Sequence, residues 1–147
     1  ALGILCAITS AFATVSSASA ACIFIGILIG NLLAIKVDGF HHIITLILFV
    51  LISLIMGIPE LNLVILLICI FSALLDEVGH ELISKLTENK FLNCFFEYRF
   101  AMKVAIFLLA LCGIFNIWFF VLFILFEFAY LIAGSISENG LFKKSRI

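Results

Sequence analysis

The chain has 147 residues, 66% of them hydrophobic and only 12% charged, with a mean hydropathy of +1.41 and a net charge of −1. Soluble domains carry about twice that share of charge, so the composition points to an integral membrane protein and leaves no length for a sizeable soluble domain. A near-neutral chain without a basic stripe argues against a nucleic-acid partner, and five cysteines lacking C-x-x-C spacing read as packing residues rather than a disulfide framework.

About 20 apolar residues are needed to cross the hydrocarbon core, and five such segments follow in chain order. They predict an all-α, multi-pass helical bundle of one transmembrane domain over residues 1–147. The first span falls within 8–35. In it Ser10, Thr14, Ala18, Cys22, Gly26, Gly30 and Ala34 recur at every fourth position. Small residues at that spacing let a second helix backbone approach closely, and Gly26-x-x-x-Gly30 is the strongest part of the row. The face serves either another helix of the bundle, a second copy in a homo-oligomer, or the wall of a narrow pore. Ser19-Ala20-Ala21 has the small residues of a signal-peptidase site, but apolar sequence runs on to Ile35 and no basic segment precedes it, which favours a retained span.

Asp38, His41 and His42 open the second span, 40–58, and Pro59-Glu60 marks the turn into the third, 61–79. The third ends in Asp76-Glu77-Val78-Gly79-His80-Glu81. In an antiparallel hairpin of these two spans, His42 and Glu77 are equidistant from the turn, and so are Asp38 and Glu81. Both polar groups are therefore expected at one level. Residues 82–97 mix Leu, Ile and Phe with charges, the pattern of an amphipathic helix lying in the interface.

The apolar tract 98–136 is too long for one span, and Gly113 to Asn116 divides it into 98–115 and 117–136. Glu127 lies near the middle of the last span, where a charge costs about 2.5–3.5 kcal/mol on insertion scales and demands a partner. Lys103 precedes the Gly113–Asn116 turn by about as many residues as Glu127 follows it, with Arg99 one turn further out. With five spans every Lys and Arg falls on one side, which the positive-inside rule makes cytoplasmic. The N-terminus is then outside, the C-terminus inside, and the acid–histidine groups cytoplasmic.

Mixed carboxylates and imidazoles are the ligand set for a divalent ion, Mg, Mn or Zn. Asp38, His42, Asp76, Glu77, His80 and Glu81 are the candidate ligands, with Glu77, His80 and His42 as candidate acid–base groups. This favours a metal-dependent enzyme acting on a lipid or lipid-linked phosphate at the cytoplasmic face, with Lys85, Lys90 and Arg99 attracting an anionic headgroup. A second reading is an ion- or proton-coupled transporter or channel component built around Glu127. A third is a non-catalytic subunit that docks through its small-residue helix. The chain lacks a phosphate-cradling glycine loop, a G-x-S-x-G elbow and an H-E-x-x-H helix, so no motif names a reaction.

Overall fold

A computed structural model describes residues 2–35, 40–86 and 90–144. Among these the regular structure is entirely helical, as expected: α1 (Leu2–Ser16), α2 (Ala18–Leu33), α3 (Phe40–Met56), α4 (Leu63–Leu86), α5 (Lys90–Glu97), α6 (Phe100–Leu111) and α7 (Ile117–Lys144).

The continuous first helix expected over 8–35 is instead two helices broken at Ser17. Ser10, Thr14 and Ser16 each turn a hydroxyl back onto the carbonyl four residues earlier, a bond that competes with the helical ladder. Ser17 is then extended, with φ −158° and ψ 135°, and its side chain accepts from Ser19 N. Ser17 thereby caps the start of α2. The break lets α1 fold back along α2. Ala7 and Ala11 of α1 are buried against Phe49 of α3, with Phe24, Ile25 and Leu28 of α2 packed around them. A Cβ on Gly3 would lie 3.0 Å from the Thr45 side chain, so α1 and α3 run in the same direction.

The hairpin expected from spans 40–58 and 61–79 is not a packed pair in the structure. α3 lies on α1, while α4 lies on α2 and α6. The cause is the Gly26–Gly30 face. A Cβ added to Gly26 would sit 2.6 Å from Cys69 Cβ, and one on Gly30 would sit 2.7 Å from Ala73 Cβ. Four small residues thus bring α2 and α4 together, in parallel, along the face that α3 would have needed. Gly57 (φ +87°) ends α3 in a left-handed turn. Asn62 starts α4 by accepting from Val64 N at 3.1 Å.

Beyond α4 the polypeptide returns through α5, whose Phe96 ring fills the space where a Gly79 side chain would stand. α6 then runs antiparallel to α4, and α7 antiparallel to α6. The turn between α6 and α7 falls at Gly113 (φ +73°), and Asn116 Oδ1 accepts from Trp118 N to open α7. The main core joins Cys22 and Ile23 of α2, Cys69 and Ala73 of α4, Met102, Ile106 and Leu109 of α6, and Phe123 of α7. Much of the outer surface is apolar, with Ile55 80% and Leu63 71% exposed.

Among the described residues one helix segment, Leu63–Ile83, is long and apolar enough to cross a membrane. The segments Gly3–Ser16, Ala18–Leu33, Ile43–Met56, Phe100–Leu111 and Ile117–Ala129 are apolar but shorter. The expected span 98–115 is the clearest case, since only Phe100–Leu111 is α6.

The α2–α4 contact makes a direct prediction. Gly26→Leu is expected to destabilise the protein by about 1–3 kcal/mol, because neither backbone can withdraw without opening the core. A denaturation midpoint in detergent reads this, and an unchanged midpoint would show that α2 and α4 do not approach so closely.

Candidate functional site

α4 becomes polar at Asp76, where it passes the start of α6. Arg99, immediately before α6, has left-handed backbone angles (φ 50°, ψ 51°) and makes no side-chain capping bond. The first N–H groups of α6 would be orphans without help. Asp76 supplies it from another helix: Oδ1 accepts from Ala101 N at 2.9 Å and Oδ2 from Met102 N at 2.7 Å. A carboxylate at that position satisfies two donors and faces the positive end of the helix dipole. Asp76 is 2% exposed, which strengthens both effects.

Glu77, also buried, accepts from the Arg99 guanidinium. One turn into α6, Lys103 Nζ donates to the Tyr98 carbonyl and lies 2.6 Å from Glu127 Oε2 on α7. The Lys103 and Glu127 side chains are only 18% and 15% exposed. Theirs is a charge contact rather than an aligned hydrogen bond, since Glu127 Oε2 is buried without a hydrogen bond of acceptable geometry. The Phe100 ring centroid lies 5.1 Å from the Lys103 ammonium.

These groups surround one cavity of about 270 Å³, lined by Asn31 of α2, Asp76 and Glu77 of α4, Arg99, Lys103 of α6 and Glu127 of α7. Its apolar wall includes Ile27, Phe123, Phe126 and Leu131. Arg99, with 40% of its side chain exposed, is the most open of the charged groups. Three carboxylates meet two cations, and the α6 N-terminus adds roughly half a positive charge opposite Asp76. The cavity is therefore close to neutral as a whole while strongly polar inside.

Of the residues the sequence singles out, Asp76, Glu77, Arg99, Lys103 and Glu127 come together here. Gly30, packed on Ala73, brings Asn31 to the same place. His80 and Glu81 do not join them. His80 lies one turn beyond Asp76 and is exposed, and Glu81 pairs with Lys85 at 3.4 Å along α4. Asp38 lies outside the described residues, as do the side chains of His41 and His42. Among the described residues no set of three His, Cys, Asp or Glu side chains is placed to hold a metal ion. The physical reason is that Asp76 and Glu77 are turned to different partners, the α6 backbone and Arg99, rather than to a common centre.

Two contributors were not anticipated. Asn31 is the sole amide in the apolar run 8–35, a signal that was available. The Tyr98 carbonyl acts through the backbone and leaves no mark in the sequence. No family model matches the chain, and no curated protein or solved structure matches it either.

Proposed function

We propose that the chain is a small multi-pass membrane protein that works as a proton- or ion-coupled transport component, with the Lys103–Glu127 pair as its coupling element. The observation that carries this reading is the cavity: five ionisable side chains gathered inside an otherwise apolar bundle. Ionisable groups buried inside an apolar bundle are expensive and are found where protons, ions or substrates are handled. Protonation of Glu127 would release Lys103 to attract an anionic group, and deprotonation would recapture it.

The helix directions support a revised topology within this proposal. If α1, α2, α3, α4, α6 and α7 each cross, they alternate in direction, and the loop and tail Lys and Arg residues still share one side. The N-terminus then joins the C-terminus on the cytoplasmic face. α6 has 12 residues and α2 has 16, or about 18–24 Å of helix. Such helices are shorter than the roughly 30 Å hydrocarbon core, a mismatch met by thinning the bilayer and by snorkelling of flanking residues.

A metal-dependent reaction fits this geometry less well. Asp76 and Glu77 are already engaged by the α6 backbone and by Arg99, and His80 is exposed.

Liposomes carrying the purified full chain and an internal pH dye, driven by a potassium diffusion potential, test the proposal. Proton entry above that of empty vesicles is expected. It should fall at least about tenfold in Glu127→Gln, where the group can no longer titrate, and persist in Glu81→Gln. Equal flux in Glu127→Gln and the parent overturns the reading. Elemental analysis of the parent beside an Asp76→Asn/His80→Ala variant checks the metal alternative, which near-stoichiometric metal lost in the variant would reinstate.

A further inference from the structure

The cavity's charges form opposed pairs rather than a field of one sign. Arg99 faces Glu77, Lys103 faces Glu127, and Asp76 is committed to the α6 backbone. A ligand with net charge would leave that charge uncompensated in a poorly solvated site, which costs several kcal/mol. A ligand carrying both signs can insert between existing partners and conserve the total. Arg99 has donors to spare, and Glu127 can exchange one ammonium partner for another. A guanidinium has five N–H donors, and one bond to Glu77 is seen for Arg99. Glu127 Oε2 meets Lys103 at 2.6 Å without an aligned hydrogen bond, a contact that a ligand ammonium can share or replace.

The remaining walls, Ile27, Phe123, Phe126 and Leu131, are apolar. A volume of about 270 Å³ lies just below the usual range of roughly 300–1,000 Å³ for ligand pockets. A cavity of that size suits a small solute. We propose that this cavity is a binding site for a small zwitterion with an apolar side group, chemically an α-amino acid. Its carboxylate lies on Arg99 and Lys103, its ammonium on Glu127, and its side group against Phe123 and Phe126. The proposal names the solute class of the transport component inferred above and rests on that reading for its physiological meaning, though not for the binding itself.

Calorimetric titration of the detergent-purified full chain with L-alanine, L-leucine and L-phenylalanine tests it. At least one is expected to bind. Its two single-charge analogues, the amine lacking the carboxylate and the acid lacking the amine, should each bind at least about tenfold more weakly, since each strands one buried charge. This comparison uses only the parent protein, so a variant's failure to fold cannot obscure it. In Glu127→Gln the amino acid should weaken by a similar factor while the amine-free acid does not. Phe126→Ala should shift preference toward the largest side chain. Absence of binding by all three amino acids, or equal binding of the single-charge analogues, overturns the proposal. The vesicle assay reads flux and the calorimetry reads binding, so loss of one result leaves the other standing.

Discussion

Replacing Asp76 by alanine is expected to destabilise the protein by about 3 kcal/mol, since it leaves two N–H groups unpaired and removes two charge-assisted hydrogen bonds. The effect is large because α6 has no substitute. Arg99 is left-handed and offers no side-chain cap, and the neighbourhood of Ala101 and Met102 is too buried for water to serve fully. Asp76→Asn should fall between parent and alanine: its carbonyl oxygen can accept one N–H, while its amide nitrogen opposes the other. Unfolding midpoints in detergent, followed by helical circular dichroism, check the series. A change in Asp76→Ala below about 0.5 kcal/mol, the scale of an ordinary surface substitution, would mean that α6 is capped in another way. The prediction also separates structure from chemistry at this residue, because a metal ligand would show its main effect on metal content rather than on unfolding.

How far the site was legible depends on how local each contact is. Lys103 and Glu127 flank a short turn at Gly113–Asn116 with nearly equal spacing, and two regular helices on either side carry that spacing into proximity. Their pairing needs only the turn and the helical rise. Glu81 and Lys85 are legible for the same reason. Adjacency in sequence suggests an α3–α4 hairpin, but adjacency does not decide packing. Cys69 and Ala73 match Gly26 and Gly30 in size and spacing, and that complementarity draws α2, not α3, onto α4. The break at Ser17 was hidden by its composition: Ser, Thr and Ala satisfy a small-residue packing stripe and a helix end equally well. Acids spaced along one helix suggest a shared centre, while in the structure Asp76 meets the α6 backbone and Glu77 meets Arg99. The opposing clue lay 23 residues on, counting from Asp76 to Arg99. The stretch Glu97-Tyr98-Arg99 contains none of the Ser, Thr, Asp or Asn that normally opens a helix. α6 therefore had to take its cap from elsewhere, and only the tertiary fold says from where.

The Lys103–Glu127 pair carries the second large expected effect, best read as a double-mutant cycle. Lys103→Met should cost about 3–5 kcal/mol, because it strands a mostly buried carboxylate among Phe123, Phe126 and Leu131. Glu127→Gln should cost less, since the Lys103 ammonium keeps its bond to the Tyr98 carbonyl. The double variant Lys103→Met/Glu127→Gln should recover most of the loss, giving a coupling of about 3 kcal/mol between the two positions, the top of the range for residues in contact. A pair that behaves as a solvated surface bridge would show coupling near zero instead. Stability alone would not explain why the charges are there, because a neutral pair of similar volume is often as stable as a buried ion pair. The double variant therefore distinguishes the two roles. If the pair only holds α6 to α7, the refolded double variant should pass protons across a vesicle as the parent does. If Glu127 is the coupling group, the same protein should be stable, correctly folded and inactive in proton entry.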